Sequence, residues 1–329
     1  MEMQLLCGYP DTPDKNPNHA MFRLPNGLKV RPIQICGGTP GKAATVTAFA
    51  DVHLNFCDET DREEANPSIL STLEHRKWMA DGAAVPALRN AMDLAADSDQ
   101  TVLIGDVLDY LSHGAIRLMQ KEILDRDPSV CMAVGGHELT RVMQGKVPDP
   151  TSLASRYEVL RAVWPNDLHY HSRYLRNAAG QKKARLVLLD NHTDQYGADL
   201  LAPFREDLAL CRKEGLPLLL FQHDPIYTNQ GETAAADWFY EPGDVSEMPW
   251  NLWENGAGGK HSTEETKALY RLIVENGDVI RGIFCGHIHN HCYTEVLASD
   301  PMGNPASIPQ YIVTANAYHQ GCVLQITVE

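Results

Sequence analysis

Apolar residues along this chain fall into two rhythms. Six short, nearly unbroken runs are rich in valine, isoleucine and leucine: Thr45–Ala50, Thr101–Ile104, Val130–Val134, Leu186–Leu189, Leu216–Gln222 and Val279–Cys285. Runs of this length predict buried strands. Between them, apolar positions three and four apart predict helices over Pro67–Ala80, Val85–Ala96, Ala115–Leu124, Leu153–Trp164 and Leu200–Cys211. Ser262-Thr-Glu-Glu265 reads as a capping box opening a helix that runs to Asn276, with Gly277 closing it. Leu28–Ile35 is strand-like, and Gln310–Ala315 and Gly321–Val328 alternate in the manner of antiparallel strands. Alternating strands and helices predict an α/β domain.

Two segments depart from this rhythm. Residues 1–44 are rich in Pro, Gly and Asn and read as an N-terminal extension to a domain spanning 45–329. Residues 228–261 form a long loop-like insertion holding Trp238, Trp250 and Trp253. Loops of that length are usually functional or disordered, and tryptophans disfavour disorder. Both a lid over a substrate site and a local mini-core fit.

The residues just past each apolar run carry the chemistry. The runs end on Asp51-Val-His53, Gly105-Asp106-Val-Leu-Asp109, Gly135-Gly136-His137-Glu138, Asp190-Asn191-His192, His223-Asp224-Pro225 and Gly286-His287-Ile-His289. Ligands of α/β sheets gather outside the carboxyl ends of the strands. Asp and His delivered there by several strands describe a metal site assembled from loops. In Asp51-x-His53 and His287-x-His289, alternate residues of extended chain would point the same way. A mixed carboxylate and imidazole set suits Mn, Fe or Zn better than Ca. Paired metal ions about 3.5–4 Å apart hydrolyse phosphate esters by activating water and clamping the phosphoryl oxygens.

In content, order and placement after strands, these motifs resemble the signature of the calcineurin-like metallophosphoesterases, over roughly Thr45 to Tyr293. The resemblance implies a four-layer αββα sandwich with two mixed central β-sheets. It also implies a dinuclear centre. Asp51, His53 and His289 would hold the first ion, Asp106 would bridge, and His223 and His287 would complete the second. His137 would be the general acid, oriented by Asp109. Asp224 and Glu138 read as hydrogen-bond acceptors behind the ligands. One departure stands out: the family's third motif reads Gly-Asn-His, and here Gly136 replaces the Asn that would bind the second ion. A weak second site is the expectation.

Gly136, Asn191, His192 and Tyr227 are candidate substrate contacts, each with a structural alternative such as capping a loop or packing on the insertion. His291 and His319 read as loop and structural histidines. His19, His75, His113, His169, His171 and His261 lack supporting context and read as surface residues.

Bulk properties narrow the partners. The 329 residues carry a formal charge of −15 and no Lys/Arg-rich stripe, which disfavours a nucleic-acid polymer as substrate. No apolar stretch approaches the roughly 20 residues that cross a bilayer. None of the eight cysteines forms a Cys-x-x-Cys pair, and with no export signal visible a reducing cytoplasm is expected. The leading expectation is a metal-dependent phosphoesterase acting on phosphomonoesters or phosphodiesters of small molecules or nucleotides. The alternative is a non-catalytic binding or scaffold protein on a partly degenerate phosphoesterase fold, with Gly136 the feature in its favour.

Overall fold

The apolar runs form the strands of two stacked sheets. The computed structural model describes residues 4–6, 21–77, 84–139, 153–192, 195–226, 263–289, 292–317 and 320–329. Its strands are β1 (Gln4–Leu6), β2 (Met21–Arg23), β3 (Lys29–Ile35), β4 (Ala44–Phe49), β5 (Gln100–Ile104), β6 (Cys131–Ala133), β7 (Tyr170–Arg176), β8 (Lys182–Leu189), β9 (Leu218–Gln222), β10 (Ile280–Cys285), β11 (Cys292–Ser299), β12 (Pro305–Ile312) and β13 (Cys322–Val328). One sheet has the order β1-β2-β3-β13-β4-β5-β6 and the other β11-β12-β10-β9-β8-β7. Both mix parallel and antiparallel pairs: β4, β5 and β6 run parallel, as do β8, β9 and β10, while β13 lies antiparallel to β4 and parallel to β3. Residues 29–35 of the expected extension are therefore a strand within the first sheet.

Side-chain alternation explains the layering. Val102 and Ile104 of β5 face inward and meet Leu186, Leu188, Leu219, Phe221 and Phe284 of the second sheet. Leu103, between them, turns outward with Phe49 and Met132 toward Leu88, Ala91 and Met92 of the helix Ala84–Ala95. On the far side, Val187, Leu189, Leu218 and Leu220 pack under the helices Leu201–Glu214 and Glu264–Val274 through Phe204, Leu208, Leu269 and Ile273. Both faces of both sheets are covered, so the central strands read as continuous apolar runs. The result is the four-layer αββα sandwich.

Several helix starts follow their capping chemistry. Asn66 caps Pro67–His75 by accepting from the backbone N–H of Ser68 and Ile69. The capping residue of Glu264–Val274 is Thr263, one position later than the sequence suggested, and its hydroxyl accepts from Thr266 N–H. The helix expected over Ala115–Leu124 is α-helical for His113–Met119 and then widens to a π turn over Gln120–Leu124. Strands β7 and β11 were not anticipated. Both lie at edges of the second sheet, where a half-exposed strand such as Tyr-His-Ser-Arg-Tyr-Leu-Arg carries polar side chains that blur the apolar signal. The insertion 228–261, Tyr227, His291 and His319 lie outside the described residues. No helix among the described residues is long and apolar enough to cross a membrane.

Candidate metal centre

All six expected metal ligands converge at the carboxyl ends of β4, β5, β9 and β10. Asp51, His53, Asp106 and His289 present ligand atoms within 4.8 Å of one another, and so do Asp106, His223 and His287. Asp106 belongs to both sets, as a bridging carboxylate must. Its Oδ2 lies 3.0 Å from His223 Nε2 and 4.0 Å from His53 Nε2. Asp51 Oδ1 lies 3.1 Å from His289 Nε2 and 3.7 Å from His53 Nε2.

The backbone that aims these groups is not extended chain. Asp51 (φ 54°), His53 (φ 48°), Asp106 (φ 50°), His287 (φ 70°) and His289 (φ 58°) all occupy the left-handed region. Such residues are uncommon, cluster at functional sites and persist only when their surroundings fix them. Each x-spaced pair therefore faces one way through alternating left-handed turns past the strand end, which corrects the expectation of strand pleating. Hydrogen bonds between loops supply the fixing. Asp51 N–H donates to Gly105 O (3.1 Å), His53 N–H to Asp106 O (2.9 Å) and Gly286 N–H to His223 O (3.0 Å). His287 N–H donates to Asp51 Oδ2 (3.0 Å), joining the two sheets. The motif glycines permit the close approach: a Cβ on Gly105 would stand 2.6 Å from His223 Nδ1, and one on Gly135 would collide with Asp106.

Every orienting hydrogen bond turns an Nε2 toward the centre. His223 Nδ1 donates to Ile104 O (2.7 Å), His287 Nδ1 faces Asp224 Oδ1 (3.1 Å), and His53 Nδ1 faces Asp109 Oδ1 (3.0 Å). Outer partners of this kind set the tautomer of a metal-binding imidazole. His223 Nε2 is buried and, although 3.0 Å from Asp106 Oδ2, makes no aligned hydrogen bond, and the Nε2 atoms of His53 and His289 lie 2.9 Å apart. A buried imidazole nitrogen left without a hydrogen-bond partner is unfavourable unless a cation sits against it. The donors present fit divalent metal ions.

Electrostatics agree. Burial alone would raise the Asp51 carboxyl, but the imidazoles of His289, His53 and His223 hold it far below the usual carboxylate range. Asp106 is likewise lowered against its burial, chiefly by His223 and His137. Burial disfavours charge on His53, yet Asp109 and Asp51 outweigh it and raise the imidazole to about 9. Glu138 is pushed up to about 7 by burial and by Asp106, tempered by the N–H groups of Leu108 and Gly135 that it accepts.

Asp109 is a second hub, beside the ligand sets. Its Oδ1 meets both His53 Nδ1 (3.0 Å) and His137 Nδ1 (3.1 Å). Its Oδ2 accepts from Arg76 Nε (2.7 Å) and Asn55 Nδ2 (2.9 Å). His137 thereby turns Nε2 inward, 3.8 Å from Asp106 Oδ2. Arg76 and Asn55 carry no signal in the sequence. Arg76 sits in Glu74-His-Arg-Lys77, which reads as a solvated charged run, and no motif marks it.

The remaining expectations divide. Asp224 and Glu138 accept hydrogen bonds behind the ligands, and Gly136 opens the short helix Gly136–Leu139 that carries His137. Asn191 is fully buried, its amide bonded to both Asp224 O (2.9 Å) and Asp224 N (3.2 Å), so it braces the second set from behind. His192 pairs with Asp190 beside the centre. His169, read as a surface residue, pairs with the other oxygen of the same carboxylate.

The profile described as Metallophos, calcineurin-like phosphoesterase, matches residues 44–291. The chain belongs to this family. No curated protein matches it. Among solved structures it is similar to a dimetal phosphatase from Danio rerio, with 13% identity, a TM-score of 0.45 and coverage of 84% of this chain and 89% of that one. It is also similar to a purple acid phosphatase from yellow lupin, with 13% identity, a TM-score of 0.44 and coverage of 93% of this chain and 48% of the other.

Proposed function

We propose that this calcineurin-like phosphoesterase hydrolyses phosphomonoesters or phosphodiesters of small molecules or nucleotides at a dinuclear metal centre, with His137 as general acid. The observation that carries the reading is the pair of ligand sets joined through Asp106, with the Asp109–His137 pair against them. The divalent ions, when bound, would activate water and neutralise charge on the phosphoryl oxygens.

The chain's own groups supply the rest. Asp51, His53, Asp106 and His289 would hold one ion and Asp106, His223 and His287 the other. In the reaction the P–O ester bond breaks, the oxygen of water joins phosphorus, the departing oxygen takes a proton from His137 Nε2, and the proton that water gives up to solvent is matched by one that solvent returns to His137. Asp109 fixes the ring that makes this transfer, and Arg76 and Asn55 fix Asp109. The chain's net negative charge continues to favour small substrates over nucleic-acid polymers.

The test is turnover of p-nitrophenyl phosphate, bis-p-nitrophenyl phosphate and an alkyl phosphate with added Mn, Fe or Zn. His137→Ala should lower kcat on the alkyl phosphate by about 10²–10⁴-fold, the usual worth of a general acid. The loss on p-nitrophenyl phosphate, whose leaving group needs no proton, should be far smaller. Equal losses on both would remove His137 from the proton-donor role, and inertness toward every ester and metal would favour the scaffold alternative.

A further inference from the structure

Past the end of β9 the chain leaves its strand neighbours, and side-chain amides take their place. The last residue pair between β8 and β9 is Leu189 with Gln222, and between β10 and β9 it is Phe284 with Phe221. Residues 223–226 follow, all buried, so their backbone N–H and C=O groups need partners. Asn191, two residues beyond β8, accepts from Asp224 N–H through Oδ1 (3.2 Å) and donates from Nδ2 to Asp224 O (2.9 Å). Gln310 of β12 does the same to Ile226, accepting its N–H through Oε1 (2.8 Å) and donating from Nε2 to its carbonyl (2.7 Å). Each amide thus gives one residue both an acceptor and a donor, as a hydrogen-bonded residue on a neighbouring antiparallel strand would.

The brackets are themselves braced. Gln222 Nε2 donates to the same Asp224 O (2.8 Å), and Gln222 Oε1 accepts from the Tyr196 hydroxyl (2.6 Å). Gln310 Nε2 also donates to Thr294 Oγ1 (2.9 Å). Asn191 and Gln310 are both 0% exposed, so water cannot replace either amide once it is removed.

The second ligand set hangs from this segment. His223 belongs to it. Asp224 Oδ1 faces His287 Nδ1 (3.1 Å), and His223 O accepts from Gly286 N–H (3.0 Å), so the loop carrying His287 rests on it as well. Asp51, His53 and Asp106 come from the ends of other strands. We propose that Asn191 and Gln310 are positioning residues for the second ion, holding residues 223–226 so that His223 and, through Asp224, His287 meet at one place. The inference rests on the dinuclear reading of the centre.

The experiment titrates metal-stripped protein with Mn²⁺ by calorimetry. His287→Ala, which deletes a ligand of the second set, identifies the binding step that belongs to the second ion. Asn191→Ala and Gln310→Ala should each weaken that step by about tenfold, the lower end of the effect of losing an outer partner, and leave the other step unchanged. The spin-coupled paramagnetic resonance signal of a Mn pair, read where the wild type is half-saturated at the second step, should shrink in the same two variants. Gln310→Glu keeps the shape and the acceptor for Ile226 N–H; it should recover part of the loss, and it carries the test if an alanine variant fails to fold. Asn166→Ala is the control, because Asn166 brackets Met132 of β6 in the same way (2.8 and 3.0 Å) and Met132 belongs to neither ligand set. It should leave both steps in place whatever it does to stability. Two steps in the wild type that the Asn191 and Gln310 variants leave unchanged, or weaken alike, overturn this inference alone. Fewer than two ions bound by the wild type overturns the dinuclear reading and this inference with it.

Discussion

The two ligand sets share Asp106 but are built unequally. The first gathers Asp51, His53, Asp106 and His289, the second only Asp106, His223 and His287. Yet the poorer set is the better shielded: His223 and His287 are 0% and 3% exposed at the side chain, against 21% for His289. Donor number and enclosure are thus separate variables here. A weaker second ion would stem from the missing donor at Gly136 and not from loose ligands.

The largest expected effect removes the distinction altogether. Asp106→Asn should release both ions, read by elemental analysis after dialysis, and lower activity by more than the roughly 100-fold that accompanies loss of an outer partner. Retention of one ion would mean that the sets do not share this carboxylate. Next comes the support of the first set. Arg76→Gln leaves Asp109 buried without its guanidinium and should destabilise the protein by about 3–5 kcal/mol in urea unfolding, with Arg76→Lys recovering part. A loss below about 1 kcal/mol, the worth of an ordinary hydrogen bond, would show that Asn55 and the imidazoles suffice.

Asp224→Ala frees His287 and should weaken the second ion by about 10- to 100-fold while leaving the first in place. Calorimetric titration would expose equal weakening of both, which would contradict independent sets. Asp190, outside both sets, serves as a control. Burial raises its carboxyl, but His169 and His192 outweigh that and hold it at about 2 against an ordinary 3.8. Its contribution is therefore complete above pH 4 and fades as pH falls toward 2. It amounts to about 2 kcal/mol, measured as the wild-type minus Asp190→Asn difference in metal-stripped protein. A constant difference across that window would discount the pairing. Smallest is Gly136→Asn, which should tighten the second ion about tenfold, or about 1.4 kcal/mol. An unchanged affinity would trace any asymmetry to something other than donor number.

Much of the fold and the centre was readable from the chain because central strands buried on both faces leave an unmistakable apolar trace. β4, β5, β9 and β10 were legible for that reason, and the ligands come directly behind them. β7 and β11 were not, since an edge strand shows half its surface to water. Nor were Arg76 and Asn55: a buried arginine is recognisable only by the carboxylate it meets, and Asp109 lies 33 residues away in sequence. His169 was hidden similarly, its partner Asp190 lying beyond a hairpin.

The left-handed backbone at five of the ligands bears on how such a centre can be altered. Asp, Asn and His are the non-glycine residues most tolerant of that conformation, whereas β-branched and bulky side chains resist it. Coordination chemistry and loop shape therefore draw on one small alphabet. Exchanging His289 or Asp51 for a glutamate or cysteine to court a different metal would strain the turn as well as change the donor. Asparagine, which keeps the turn, is the substitution that reports on the donor alone.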